Sequence, residues 1–186
     1  MRLLLLLTAL LAGPVMAADD DRPRVTLTTG MGGMLVELWP EEAPETVHHF
    51  LEHVDRDHYT GLIFHRVIPD FMIQTGGYEP GLDYREPGGT VVNESVGGPR
   101  NLRGTLAMAR LRDPDSADAQ FFVNLRDNPH LDADGDRPGY TVFGRVIEGM
   151  EVAEKISEVP TGVRGGMRDV PLEPVMIESI ERQETR

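Results

Sequence analysis

Cysteine is absent from all 186 residues, which excludes disulfide staples and thiol chemistry alike. Positive charge is scarce, with 18 Lys and Arg against 31 Asp and Glu and a net charge of −13. Such a surface repels phosphodiester backbones and anionic headgroups, so neither nucleic acid nor a membrane is an expected partner. Internal repeats and low-complexity tracts are also missing. Long apolar runs are limited to residues 3–11, well short of the roughly 20 residues needed to cross a bilayer. That run follows Arg2 and leads to Val15-Met16-Ala17. A basic start, a short apolar stretch and small residues predict a secretory signal over residues 1–17, cut after Ala17 or Ala18. Residues 18–186 then make one domain of ordinary size, exported and held together by a single hydrophobic core. A monomer is the default expectation.

Short strand-like segments between Gly and Pro turns dominate what remains. Residues 25–29 and 34–39 flank Gly30-Met31-Gly32-Gly33 and predict a hairpin, with Met34, Val36 and Leu38 on its apolar face. Pro44 and the nearby Glu41, Glu42 and Glu45 suit a helix start, and Val47, Phe50, Leu51 and Val54 give it one apolar stripe. Further strands are predicted at 63–68, 71–74, 105–109, 121–124, 140–146 and 175–180, with a second helix near 149–159. Residues 78–104 form a long surface excursion, and 160–171 a loop. Many strands and two helices predict a mostly β fold, an antiparallel sheet closed into a barrel or sandwich.

One residue breaks this pattern. Arg66 stands inside the apolar run Ile63-Phe64-His65-Arg66-Val67-Ile68, where almost any aliphatic residue would stabilise a strand better. A buried cation costs several kcal/mol unless paired or used. The run Phe71-Met72-Ile73-Gln74 just beyond supplies apolar bulk and one directed amide, the makings of a ligand cleft.

These residues resemble a known signature. Phe64-His65-Arg66-Val67-Ile68-Pro69 with Phe71-Met72-Ile73-Gln74 is similar to the central block of the cyclophilins, the cyclosporin-type peptidyl-prolyl isomerases. Gly104-Thr105-Leu106-Ala107-Met108-Ala109, Ser116 and Ala119-Gln120-Phe121-Phe122 match a second block. Leu131-Asp132, Val142-Phe143-Gly144 and Glu148-Gly149-Met150 match a third. With its export signal, the chain resembles the single-domain periplasmic branch of Gram-negative bacteria. The resemblance implies a closed eight-stranded antiparallel barrel capped by two α-helices. It implies a catalytic Arg66 and a proline pocket walled by Phe71, Met72, Phe122 and Leu131. Gln74 would orient the arginine and the substrate backbone, and Gln120 with Ala109 would line a neighbouring groove. Two positions depart from the common pattern: His130 stands where an aromatic residue, often Trp, is usual, and Tyr140 where His is frequent. Tyr140 keeps an aromatic wall, whereas His130 implies weak cyclosporin binding. Arg110-Leu111 replaces an Asn-Ala pair common in eukaryotic members.

The implied reaction suits such residues. Rotation about an X–Pro bond breaks amide conjugation and takes tens to hundreds of seconds unaided. No covalent bond changes hands, so no nucleophile, metal or other cofactor is needed. The twisted amide regains a lone pair on nitrogen, and a permanently protonated, rigid guanidinium bonds that nitrogen only when it is twisted. The expected substrates are proline-containing peptides and exported proteins still folding. The alternative is a proline-peptide holdase on the same fold.

Other signals carry less weight. His49 and His53 are four residues apart on the first helix, but no Glu follows His49 as a zinc-protease motif requires, and a solvated helix face is expected. Asp132-Ala133-Asp134-Gly135-Asp136 fails the calcium-loop pattern, because Arg137 and Phe143 stand where Gly and Glu belong. Asn93-Glu94-Ser95 fits a glycosylation acceptor only in a eukaryotic secretory route. Arg100, Arg103, Arg110 and Arg112 are expected to decorate a groove rim, and His65 to be a satisfied core histidine.

Overall fold

A computed structural model describes residues 22–183, so the predicted signal, residues 1–17, lies outside the described residues. In chain order the elements are β1 (Arg24–Thr29), β2 (Gly32–Leu38), α1 (Pro44–Asp55), β3 (Arg66–Ile68), β4 (Met72–Thr75), β5 (Thr105–Met108), β6 (Phe121–Asn124), β7 (Val142–Glu148), α2 (Met150–Ser157), β8 (Thr161–Arg164), β9 (Met167–Pro171) and β10 (Ile177–Arg182).

The first hairpin turns through Gly30 and Met31. Thr29 pairs with Gly32, and its hydroxyl donates to the Gly32 carbonyl at 2.9 Å while accepting from the Met31 amide at 3.1 Å. Helix α1 begins at Pro44, but its preceding residue, Ala43, has no side chain able to cap it. The cap comes from far along the chain. The Glu94 carboxylate accepts from the Glu45 and Thr46 amides at 3.1 and 2.9 Å, and from the Thr46 hydroxyl at 2.7 Å. A carboxylate there also complements the positive end of the helix dipole. His53, expected on a solvated face, is buried, with one ring nitrogen 3.0 Å from the Pro87 carbonyl and the other 2.8 Å from that of His49. The segment expected as a free excursion therefore packs onto α1, which buries a second face of the helix.

Eight strands form one antiparallel sheet in the order β10-β1-β2-β7-β5-β6-β4-β3, and β8 pairs with β9 separately. The expectation of a closed barrel is corrected. The sheet curls, but the ladder is open, with β10 and β3 at its edges. They are connected through the residues preceding β3, by one bridge, Ile63 to Met176, and three backbone hydrogen bonds. The physical reason lies in residues 62–64. Leu62, Ile63 and Phe64 turn into the core, and Ile63 spends its carbonyl on the Thr75 hydroxyl at 2.9 Å and its amide on Tyr78. β3 is left with three ladder residues instead of the six expected. The hairpin β8–β9 was expected as loop. Gly165 and Gly166, both at positive φ, make its turn, and few apolar residues betray its strands.

The main core lies on the inner face of the sheet, under α1 and α2. Val67, Ile73, Val123 and Leu106 form one cross-strand row, all at most 1 % exposed. Phe50 of α1 reaches the rings of Tyr59, Phe121 and Phe143, with centroids 5.2 to 5.5 Å away. Phe50→Ala should lower unfolding free energy by about 3–5 kcal/mol, read as an earlier urea midpoint by circular dichroism.

Candidate active site

Strands have a period of two, so the residues between those of the inner row point outward. Arg66 pairs with Gln74, Gln74 with Phe122, Phe122 with Ala107 and Ala107 with Val142. This second row runs across β3, β4, β6, β5 and β7 on the face opposite the core. Its apolar members belong to a separate cluster of Met72, Ala107, Phe122, Leu131 and Val142, with Ile68, Phe71, Ala109 and Tyr140 packed at the edges. Met72 is 2 % and Phe122 4 % exposed, while Phe71, Ala109 and Tyr140 are half-buried. The result is a dry floor with an aromatic rim, a surface fit for a small apolar ring.

Arg66 corrects the reasoning that first singled it out. Its side chain is exposed, so no burial penalty has to be offset. Among the described residues no carboxylate lies within ion-pair distance of it. The row places an unpaired guanidinium beside the floor, on the strand at the edge of the sheet.

A polar chain runs along one side. Gln74 Nε2 donates to Gln120 Oε1 at 3.1 Å. Gln120 Nε2 donates to Asp118 Oδ2 at 3.3 Å, and its amide to Asp118 Oδ1 at 2.7 Å. The Tyr84 hydroxyl donates to Asp118 Oδ2 at 2.6 Å, and partial desolvation together with that carboxylate contact raises the phenol above its usual range. These groups, with Ala109 and Arg110, line a groove of about 390 Å³. Asp118 and Tyr84 were not singled out from sequence, because a hydrogen-bond chain built from one strand and two distant loops leaves no spacing signal.

On the other side, Phe71 stacks on His130 with ring centroids 5.5 Å apart and 25° between planes. His130 is exposed, and Leu131 behind it is buried. Asn128 holds this loop, donating to the Phe71 carbonyl at 3.0 Å and to Asn124 Oδ1 at 2.8 Å. Asn124 in turn donates to Thr105 Oγ1 at 2.9 Å. Tyr140 stands edge-on to Phe122, 5.7 Å away. All ten expected residues thus gather on or beside one outward patch. The calcium-like stretch does other work: Asp132 accepts from Arg100 Nε at 3.0 Å and from the Asn101 amide at 2.6 Å. Among the described residues no cluster of three or more His, Asp or Glu is arranged to hold a metal.

His65, one position before Arg66, is buried but not fully satisfied: its Nδ1 has no hydrogen-bond partner among the described residues. Burial pushes its imidazole down to about 4, against the opposing pull of the Ile63 backbone, while the Arg66 charge lowers it further. Between about pH 6.5 and 4 the unfolded chain binds a proton at this residue that the folded chain does not, so stability falls as pH drops through that window. Burial lowers His49 and His58 as well, adding to the same slope. His65→Asn should flatten part of that loss, measured as the urea midpoint at several pH values across the window. An unchanged slope would show that His65 is not its source.

The comparisons with known proteins agree with this geometry. The family described as "Cyclophilin type peptidyl-prolyl cis-trans isomerase/CLD" matches residues 24–182. The chain is 45 % identical over 157 residues to the peptidyl-prolyl cis-trans isomerase of Acinetobacter baylyi, covering 84 % of each. It is 46 % identical over 159 residues to peptidyl-prolyl cis-trans isomerase B of Escherichia coli, covering 84 % of this chain and 97 % of that one. Its fold matches a Cryptosporidium parvum cyclophilin-type isomerase, solved in the presence of the dipeptide Ala-Pro, with a TM-score of 0.72 at 24 % identity over 87 % of this chain and 99 % of that one. A family match across nearly every described residue, over a sheet that sets an arginine beside an apolar floor, leaves one assignment: the chain belongs to the cyclophilin-type peptidyl-prolyl cis-trans isomerases.

Proposed function

We propose that this isomerase turns over X–Pro bonds in exported polypeptides, with Arg66 as the catalytic cation and the Met72–Phe122 floor as the proline site. The observation that carries this reading is the row Arg66–Gln74–Phe122, which sets a free guanidinium, a directed amide and an apolar seat side by side. The C. parvum relative was crystallised with Ala-Pro, which fits a seat for a prolyl ring. The ring rests on Phe122 and Met72 between Phe71 and Tyr140, while the preceding carbonyl swings. Bound substrate covers Arg66 and displaces water from it, which strengthens its hydrogen bond to the pyramidal nitrogen of the twisted amide. Gln74, tethered by Gln120, steadies the peptide backbone beside it.

Acceleration from tens of seconds to milliseconds is about four decades, or roughly 5.5 kcal/mol. One charged donor aimed at the transition state, together with oriented binding, supplies a term of that order. The floor replaces water around an amide whose dipole shrinks on twisting. No step calls for a cofactor. The signal-like residues 1–17 support a periplasmic setting for the mature domain, where folding chains expose prolyl bonds. There the exposed His130, in place of a bulkier aromatic residue, leaves cyclosporin a poorer wall.

Arg66→Ala should cut turnover of a proline tetrapeptide about 10²-fold or more, while peptide affinity changes only a few-fold. Wild-type rates in that variant would overturn the assignment of Arg66. Mass spectrometry of the protein from a periplasmic extract should give a mature N-terminus at Ala18 or Asp19. Full-length chain confined to the cytoplasm would refute the export reading.

A further inference from the structure

Arg110 makes unusual use of its guanidinium. It leaves the end of β5 just after Ala109 and reaches across to the loop that precedes β7. Nε donates to the Gly139 carbonyl at 2.9 Å, Nη2 to Pro138 at 3.0 Å, and Nη1 to Leu111 at 3.0 Å. Nη1 also reaches the Arg112 carbonyl at 3.5 Å. No carboxylate among the described residues pairs with it, and its Cζ lies 4.9 Å from the centre of the Tyr140 ring. A fork whose three nitrogens all face backbone carbonyls has little left to offer a substrate anion. What it does touch is the aromatic wall. Tyr140 meets both the Arg110 cation, over its ring, and the edge-on Phe122 ring, 5.7 Å away.

The loop under Tyr140 is gripped again at Gly139. Its amide donates to Ser95 Oγ at 2.8 Å, its carbonyl also accepts from Asn93 Nδ2 at 3.1 Å, and a Cβ there would overlap the Leu131 carbonyl. The Tyr140 amide donates to that same carbonyl at 2.9 Å. Backbone position is thus set by residues 93–95 and 131. Among the described residues the charged group over the ring is Arg110.

Resting on the reading of Phe122 and Tyr140 as the proline site, we propose that Arg110 is a positioning residue that fixes the Tyr140 ring against Phe122 and so sets the width of the proline seat. It touches no reacting atom. Its removal lets the wall swing, which weakens binding of ground and transition states alike and leaves the twisting step itself intact. That is the pattern of lost uniform binding, a rise in KM without a matching fall in kcat.

A double-mutant cycle on a proline tetrapeptide reads this directly. Arg110→Ala should raise KM about fivefold with kcat within about twofold, the size of a lost cation–π contact plus wall freedom. In a Tyr140→Ala background, the same substitution should do nothing further to KM, because no ring remains to be held. Arg110→Lys keeps the charge near the ring but has a single nitrogen that cannot span the same set of carbonyls, so its KM rise should be smaller and should also vanish with Tyr140→Ala. If Arg110→Ala fails to fold by circular dichroism, the lysine variant carries the cycle. Wild-type KM in the arginine variants, or an equal KM rise with and without Tyr140, overturns the proposal. If those results come from an enzyme that Arg66→Ala still silences, the isomerase site stands and Arg110 alone is misassigned. An inactive wild type removes both.

Discussion

The register of β4, β6 and β5 is the constraint on which the site depends. These three strands are apolar on both faces: Ile73, Val123 and Leu106 point into the main core, and Met72, Phe122 and Ala107 point out of it. A one-residue slip in any of them would exchange its two faces, and in β4 or β6 it would turn Gln74 or Asn124 toward the main core. The inner row, packed against α1 and α2, therefore decides where the outer row lies. The geometry of the proposed site is fixed from behind, by residues buried in the core.

The periphery is fixed by side-chain bonds between segments distant in sequence. Glu94 ties residues 93–95 to the start of α1, and Asn101, Asn124 and Asn128 tie the 125–131 loop to the sheet. Glu37, nearly fully buried on β2, accepts from Trp39 Nε1 at 3.0 Å and lies within 4.0 Å of Arg22, Arg24 and Arg145. Each of these satisfies groups that would otherwise be costly to bury. Loops so anchored can carry His130, Leu131 and Tyr140 at set heights around the floor.

Much of this was legible in the sequence, and the reasons differ from element to element. The Met34, Val36 and Leu38 alternation and the Val47, Phe50, Leu51 and Val54 stripe reflect local periodicity, which burial on one face imposes directly. The site residues were legible as motif blocks, and pairing between strands explains why blocks far apart in sequence converge. What escaped reading was tertiary. Arg66 looked buried because its neighbours are apolar, yet strand alternation puts it on the exposed side. His53 looked solvated because the segment that covers it lies more than thirty residues away. The β8–β9 hairpin has a Gly165-Gly166 turn but almost no apolar alternation, so only its pairing reveals it. The open edges of the sheet depend on how Ile63 distributes two hydrogen bonds, which no periodicity encodes.

That overlooked hairpin has a bearing on how the molecule can keep company with loose polypeptides. β3, which carries Arg66, is the last strand of its sheet, and β9 packs against it. A bare strand border invites any extended chain to zip alongside through its backbone. A prolyl substrate at the proposed site would be an extended chain lying beside that border. With β9 close by, an extended chain at the proposed site would have less room to anneal to the scaffold and could leave once its bond has turned.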